Sequence, residues 1–262
     1  MSPAQFWHDP ALPFVESRRA CRSRACYRAH SHRTWSIGVV DGGRSRFTSL
    51  GVGRALLPGT LISIPDEQVH ACNPAAGGDW SYQMLYLDPR WLGRVLGEMP
   101  PRRVEVGRDP VAYAAFCKLN RCLFSAASPA VKERHLTGFL RAQWWRGEPL
   151  EGKQTGEPGE LEAARRALRD ADQTIPLDDL AAANGLSRYQ LIRRFRRHLG
   201  LTPHAYGLDQ RIGRARALLR AGLAPADVAQ TLGFTDQSHF QRAFKERVAA
   251  TPGQYRRVAV DG

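Results

Sequence analysis

Hydrophobic and polar residues alternate in short runs over the first hundred positions, then recur every three or four residues from about Asp109 onward. The first pattern is that of strands and the second that of amphipathic helices. Ser36-Ile37-Gly38-Val39-Val40 is a β-rich run, and Asp41-Gly42-Gly43 after it predicts a hairpin turn. Leu56 to Pro65 reads as a turn and a strand, and Trp80 to Leu87 alternates large and small residues in another. Short strands divided by glycine turns predict an antiparallel barrel or sandwich. Beyond Asp109, Tyr113, Phe116, Leu119 and Leu123 mark one helix. Ser128-Pro129 restarts a second as cap and first-turn proline, running through Leu136, Phe139, Leu140 and Trp144. This pair is expected to pack on the barrel, with an apolar face that serves either the core or a dimer contact.

Gly147 to Gly159 is rich in Gly, Pro and charge, with little to bury, and predicts a linker. The predicted organisation is a barrel domain over 1–146, a linker over 147–160 and an all-helical domain over 161–262. The fold class is therefore α+β: a β-barrel with two packed helices, then a separate α domain.

The helical region repeats a single pattern. Gly185-Leu186-Ser187 precedes Leu191, Phe195, Thr202-Pro203 and Tyr206; Gly233-Phe234-Thr235-Asp236 precedes Phe240, Phe244, Thr251-Pro252 and Tyr255. Each copy reads as a helix, a tight glycine turn and a second helix, which is a helix-turn-helix. Ser187 and Asp236 are the expected caps of the second helices. Leu191, Phe195 and Leu199 form the buried stripe of one, Phe240 and Phe244 that of the other. Arg188, Tyr189, Gln190, Arg193, Arg196 and Arg197 are left facing outward in the first copy, and Gln237, Ser238, His239, Gln241, Arg242 and Lys245 in the second. Arg can fork onto guanine and Gln onto adenine, and both can hold phosphates. Between the copies Thr202-Pro203 starts a long helix ending near Ala221-Gly222. About 19 residues at ~1.5 Å each span about 28 Å. That places the two outward faces near the ~34 Å repeat of B-DNA, in two adjacent major grooves.

These residues resemble a known family. Ala221-Gly222, Val228-Ala229, Leu232-Gly233-Phe234, Asp236-Gln237-Ser238-His239-Phe240, Arg242-Ala243-Phe244-Lys245 and Thr251-Pro252-Gly253-Gln254-Tyr255-Arg256 are similar to the C-terminal signature of AraC/XylS-type transcription regulators. The resemblance covers about residues 165–258. It implies that both second helices enter the major groove, through Arg188, Tyr189, Ile192, Arg193 and Arg196 in one and Gln237, Ser238, His239, Gln241 and Arg242 in the other. Gly207 and Gly213 inside the connecting helix depart from what a helix favours, at about 1 kcal/mol each against Ala.

His30-Ser31-His32, Pro58-Gly59 and Pro65-Asp66-Glu67-Gln68-Val69-His70 resemble the degenerate cupin barrel common in that family, over about residues 25–90. In metal-binding cupins a His-x-His pair, a Glu and a later His form the site. Here the Glu position falls in Thr34-Trp35-Ser36-Ile37, which has no carboxylate. Three His alone can hold zinc or iron, yet the same residues serve equally as hydrogen-bonded groups lining a ligand pocket. His30, His32, Trp35, His70, Trp80 and Tyr82 are assigned to binding a small molecule, with Phe47 and Tyr86 as further walls. No metal, cofactor or catalytic residue is assigned. Arg28, Arg33, Arg44, Arg46 and Arg54 are candidates to meet a carboxylate on an amino acid or similar effector.

Composition bears on partners and compartment. The 262 residues carry a net charge of +13, which favours a polyanion without separating nucleic acid from an acidic membrane. The apolar runs are too short and interrupted for a transmembrane helix, and the N-terminus lacks a secretion signal's basic then apolar pattern. Cys21, Cys26, Cys72, Cys117 and Cys122 are odd in number and lack zinc-finger spacing, as expected of reduced cytoplasmic thiols. The expected function is that of a sequence-specific transcription regulator, activator or repressor, responding to a small-molecule effector. Its expected partners are double-stranded DNA, the effector, RNA polymerase and a second copy of the chain, with no membrane. Two alternatives stand beside it: a metal-dependent cupin enzyme with a DNA-binding tail, and an architectural DNA binder with no effector.

Overall fold

A computed structural model describes residues 4–49, 51–142, 147–150, 158–171 and 173–257. The sheet-rich half begins with β1 (Gln5–His8), β2 (Val15–Ser23), β3 (Trp35–Gly43), β4 (Ser45–Ser49), β5 (Val52–Leu56), β6 (Thr60–Ile64), β7 (His70–Pro74) and β8 (Trp80–Leu87). Then come α1 (Pro89–Leu96), β9 (Glu105–Arg108), α2 (Pro110–Leu123), α3 (Pro129–Ala142) and a short β10 (Glu148–Pro149). The strands form two antiparallel sheets, ordered β1-β2-β8-β3-β6-β9-β10 and β5-β4-β7.

Strand parity sorts the side chains into two cores. Phe47, Leu56 and Cys72 of the small sheet pack with Val40, Ile62, Ile64, Trp80, Tyr82 and Met84 of the large one. Trp35, Ile37, Val39, Leu85 and Leu87 face the other way, against Trp91 of α1, Phe116 of α2 and Phe139 of α3. The expected helix pair does pack on the sheet, joined by α1, which the hydrophobic pattern did not predict. Trp144, placed on α3 by sequence, lies outside the described residues.

Two further expectations change. Asp41-Gly42-Gly43 is not the hairpin turn: β3 runs through it, with a bulge between Val40 and Gly42. The bend follows Gly43, whose φ of 72° and approach to the Asp79 carbonyl, 2.1 Å from where a Cβ would sit, leave room for glycine alone. The start of the predicted linker belongs to the sheet: β10 pairs with β9, Leu150 is buried, and its N–H bonds the Val104 carbonyl at 2.8 Å. Residues 151–157 of that linker lie outside the described residues.

The helical half contains α4 (Glu162–Asp170), α5 (Leu177–Ala182), α6 (Arg188–Leu199), α7 (Pro203–Arg220), α8 (Pro225–Thr231), α9 (Gln237–Val248) and α10 (Pro252–Arg257). The repeat seen in sequence is a repeat in space. Helices α6 and α9 have 12 residues each, and the turns before them use Gly185 and Gly233, both at φ 64°. Phe195 meets Tyr206 edge-on at 6.1 Å, and Phe244 meets Tyr255 edge-on at 5.6 Å. Helix α7 has 18 residues, a span of about 27 Å. Gly207 has a packing reason, since a Cβ there would come 3.2 Å from Leu168 Cδ2, whereas Gly213 has open space.

Candidate functional site

The outward faces of α6 and α9 are set by capping and by their buried stripes. The Ser187 hydroxyl accepts from Gln190 N at 3.3 Å while Gln190 Oε1 accepts from Ser187 N at 2.8 Å, a reciprocal capping box. Leu191 and Phe195 then point inward. Arg188, Tyr189, Arg193 and Arg196 stand exposed, and Ile192 is half-buried. Tyr189 is 72% exposed, a large aromatic in solvent with nothing of its own chain to cover it. Arg188 lies 3.7 Å from the exposed Asp178, a solvated pair worth little and easily exchanged.

In α9 the Asp236 carboxylate accepts from His239 N at 2.7 Å, and Phe240 and Phe244 are fully buried. Gln237, Ser238, Gln241, Arg242 and Lys245 are exposed. His239 is half-buried, edge-on to Phe234 at 5.4 Å. All thirteen residues singled out from sequence, Arg197 included, thus lie on these two helices. Gln190 and His239 are partly engaged by their own fold, which leaves the remaining side chains freer to meet a partner.

The second group comes together inside the sheet-rich half, with one exception. His30, His32, His70, Trp80 and Tyr82 line a cavity of about 40 Å³, together with Arg18, Tyr27, Ser36, Cys72, Met84, Tyr86 and Arg247. Trp35 does not reach it. It sits one strand position away in parity, buried against α1–α3, with its indole N–H on Ser63 Oγ at 2.9 Å. Phe47 stacks on His70, ring centres 6.1 Å apart. None of the five arginines expected to meet a carboxylate lines this cavity: Arg54 pairs with Glu148 and Arg33 bonds Gln210, at 2.9 and 2.8 Å. The guanidiniums that do line it belong to Arg18 and Arg247; Arg18 lies over the rings of Phe6, Tyr27 and Tyr82 at 5.0, 5.6 and 5.4 Å.

Three imidazoles meet there. A ring nitrogen of each of His30, His32 and His70 lies within 4.8 Å of those of the other two. His30 and His70 also pair through their backbones, His30 N to His70 O at 3.0 Å and His70 N to His30 O at 2.9 Å. Burial first, and then the neighbouring His70, holds the pKa of His30 down at about 3. Burial, followed by His70 and His30, keeps His32 well below its ordinary value, and burial also lowers His70. All three are neutral at pH 7.

The cavity abuts the seam between the two halves, which no sequence pattern had marked. Glu16, on β2, is 2% exposed. It receives Arg216 at 2.7 Å, Arg220 at 2.9 Å and the Tyr255 hydroxyl at 2.5 Å. Burial alone would raise its pKa; the two guanidiniums and the phenol outweigh that and hold it lowered. Arg18 Nη1 donates to the Val248 carbonyl at 2.9 Å, and Ser31 N to Asp209 Oδ2 at 2.9 Å. Asp209 is itself held by Arg247 at 2.6 Å. Ser31 is the residue between His30 and His32, so the cavity wall touches α7 directly.

Similarity to known proteins follows the same division. Residues 15–144 match the family model of an AraC-like ligand binding domain, and residues 180–258 that of a helix-turn-helix domain. The chain is similar to the arabinose operon regulatory protein of Salmonella typhimurium, 36% identical over 211 residues that cover 76% of this chain and 75% of that one. It is also similar to the HTH-type transcriptional regulator YidL of Escherichia coli, 33% identical over 216 residues, 79% of this chain and 72% of that one. The fold is that of ToxT from Vibrio cholerae, with a TM-score of 0.59 at 12% identity over 99% of both chains.

Proposed function

This chain belongs to the AraC/XylS family of transcription regulators and joins a ligand-binding domain to a DNA-binding one, and from that premise we propose how it reads DNA. Arg188, Tyr189, Gln190, Ile192, Arg193 and Arg196 enter one major groove, and Gln237, Ser238, His239, Gln241, Arg242 and Lys245 the next. The observation that carries this is the pairing of two capped, outward-facing helices of equal length, α6 and α9, across the single helix α7. Arginine and glutamine on such faces match guanine and adenine edges, and the net charge of +13 supplies the phosphate attraction.

The sheet-rich half is the sensor in this reading, with domain limits near 150 and 160, since β10 and Leu150 belong to its sheet. A small effector meets His30, His32, His70, Trp80 and Tyr82. The room favours a ligand of few atoms, because cavities for drug-sized molecules start at roughly 300 Å³ and this one is about 40 Å³. Arg18 would be the cationic partner of a carboxylate. Binding acts on DNA through the seam, since Ser31 and Arg18 contact α7 and the end of α9 from the cavity side. The protein works in the cytoplasm, as a dimer formed through the α2–α3 layer where Val111 stands 66% exposed, and contacts RNA polymerase from its promoter site. We read it as a regulator and not as an enzyme because its relatives are regulators. Among the described residues no helix is long and apolar enough to cross a membrane.

Arg193→Ala tests the reading. It is expected to weaken binding to a selected operator by about 1–3 kcal/mol and to relax choice at one base pair. Quantitative binding to a set of single-base operator variants measures both. Uniform weakening makes Arg193 a phosphate contact, and an unchanged profile removes α6 from the groove.

A further inference from the structure

Helix α7 carries a buried charge that nothing pairs. Arg211 is 5% exposed. Among the described residues its guanidinium reaches no carboxylate and no hydrogen-bond acceptor, and it lies over the Phe234 ring, 5.0 Å from the centroid. Burial, then the neighbouring Arg214 and Arg247, lowers its pKa. Those two neighbours have partners of their own: Arg214 Nη1 donates to the Arg169 carbonyl at 2.8 Å, and Arg247 Nε to Asp209 at 2.6 Å. A buried cation without a counter-charge is unfavourable, and an anion would relieve it.

Arg211 lines a cavity of about 290 Å³ within the helical half. The end of α4, the connection after it, α5 and the starts of α6 and α7 enclose this space, and among the described residues none before Leu168 lines it. It is therefore separate from the sheet-rich cavity and from the seam between the halves. Leu168, Ile175, Leu177, Leu180 and Pro203 make its walls apolar. Arg188 and His204, both exposed, stand at its rim. At about 30 Å³ for a water-sized group, the space takes roughly ten non-hydrogen atoms. Apolar walls around one unpaired cation select a ligand with an apolar body and a single acidic group. A phosphate held in a DNA duplex cannot reach a guanidinium buried so deeply.

We propose that this cavity binds an apolar monocarboxylate of roughly ten non-hydrogen atoms, its carboxylate on Arg211 and its body against the side chains of α4, α5 and α7. Two parallel N–H···O bonds are the pairing that guanidinium and carboxylate favour. The cavity also touches the junction between the two helix-turn-helix units. Phe234, beneath Arg211, meets His239 of α9 edge-on at 5.4 Å. Gln173, another lining residue, packs beside Gly233, where a Cβ would come 3.3 Å from its Cγ. A ligand that holds Arg211 and Gln173 thus acts on the turn leading into α9, and so on how α6 and α9 sit relative to one another. That consequence rests on the DNA-reading scheme, whereas the binding site does not.

The full chain is titrated by calorimetry with 3-phenylpropionate and with cyclohexylacetate. Uncharged 3-phenylpropanol and acetate, which lacks the apolar body, are the controls. Each of the two acids is expected to bind once per chain, and 3-phenylpropanol at least about 10-fold more weakly, the loss that goes with a charge-assisted hydrogen bond. Acetate should show no measurable binding. Arg211→Met should lose at least about 10-fold in affinity for both acids while melting no lower than the wild type, because it removes a buried charge that has no partner. Ile175→Trp, at a half-buried wall position, fills the space and should abolish binding; should it fail to fold, Arg211→Met decides. Equal affinity for 3-phenylpropanol, unchanged binding by Arg211→Met, or no binding of either acid overturns the proposal. Binding lost in Arg18→Met but kept in Arg211→Met would place the acids in the sheet-rich cavity and overturn it as well. The consequence for DNA is read separately: saturating acid should change operator affinity by at least about 5-fold in the wild type and leave Arg211→Met unmoved. No change at full occupancy overturns that consequence alone, and a chain that binds the acids but no operator counts against the regulator reading, not against this site.

Discussion

Glu16→Ala is expected to cost about 3–5 kcal/mol and to uncouple the two halves of the chain, because it strands two largely buried guanidiniums without their carboxylate. Arg216 and Arg220 are only 14% and 31% exposed at the side chain, so water replaces little of what is lost. All six tryptophans, Trp7, Trp35, Trp80, Trp91, Trp144 and Trp145, precede residue 147. Tryptophan fluorescence in urea therefore follows the sheet-rich half, while far-ultraviolet helicity follows mainly the C-terminal one. The two transitions should coincide in the wild type and separate in the variant. Coincident transitions at an unchanged midpoint would mean the Glu16 cluster does not hold the seam. The same group sets a pH dependence. Its folded pKa is lowered, so its contribution is fully present above the unfolded value near 4.5 and fades as pH falls through the depressed one.

Phe244→Ala is the second large effect, at about 3–5 kcal/mol for truncating a buried aromatic. Phe244 is fully buried, 5.6 Å from the rings of both Phe240 and Tyr255. Its loss opens the core under α9 and loosens Tyr255, which carries one of the bonds to Glu16. A melt followed by helicity should show the second helix-turn-helix unit unfolding early, with fluorescence of the sheet-rich half much less affected. An unchanged melting curve would show that the core of this unit lies elsewhere.

The helical half was legible because each local signal agrees with its neighbours. Caps, glycine turns and aromatic stripes occur twice in the same order, and α6 and α9 start at the expected Ser187 and Asp236. One detail escaped. The second copy ends α9 with Ala249 at φ 52° where the first has Gly200 at φ 71°, a left-handed position that costs alanine about 1–2 kcal/mol. The sheet-rich half was less legible for a physical reason. Strand β2 reads Val-Glu-Ser-Arg-Arg and gives no apolar alternation, yet Glu16, Ser17 and Arg18 are all buried. They are buried because their partners are distant in sequence: α7, α10 and the end of α9 for Glu16 and Arg18, and β8 and α2 for Ser17.

Other differences lay within reach of local rules. Helix α1 begins at Asp88-Pro89, with the Asp88 carboxylate accepting from Trp91 N, and ends at Gly97 with φ 82°, the ordinary signals of a start and a stop. Trp35 shares its strand face with Ile37 and Val39 and so follows them toward the helices. The histidines, Trp80 and Tyr82 were brought to one cavity as expected, but Arg18, the charge beside them, came from the unread strand β2. Gly147 to Leu150 looked like linker by composition, and only pairing with β9 makes it an edge strand.

The central claim is that two equivalent helices of one chain read neighbouring turns of the same duplex. A randomised-oligonucleotide selection at physiological ionic strength, followed by hydroxyl-radical footprinting of the full chain on the selected sequence, tests it directly. The account predicts, for each chain bound, two protected blocks on one face of the duplex, about 10 base pairs apart from centre to centre. A single protected block per chain, or a selection that returns no preferred sequence, would contradict it.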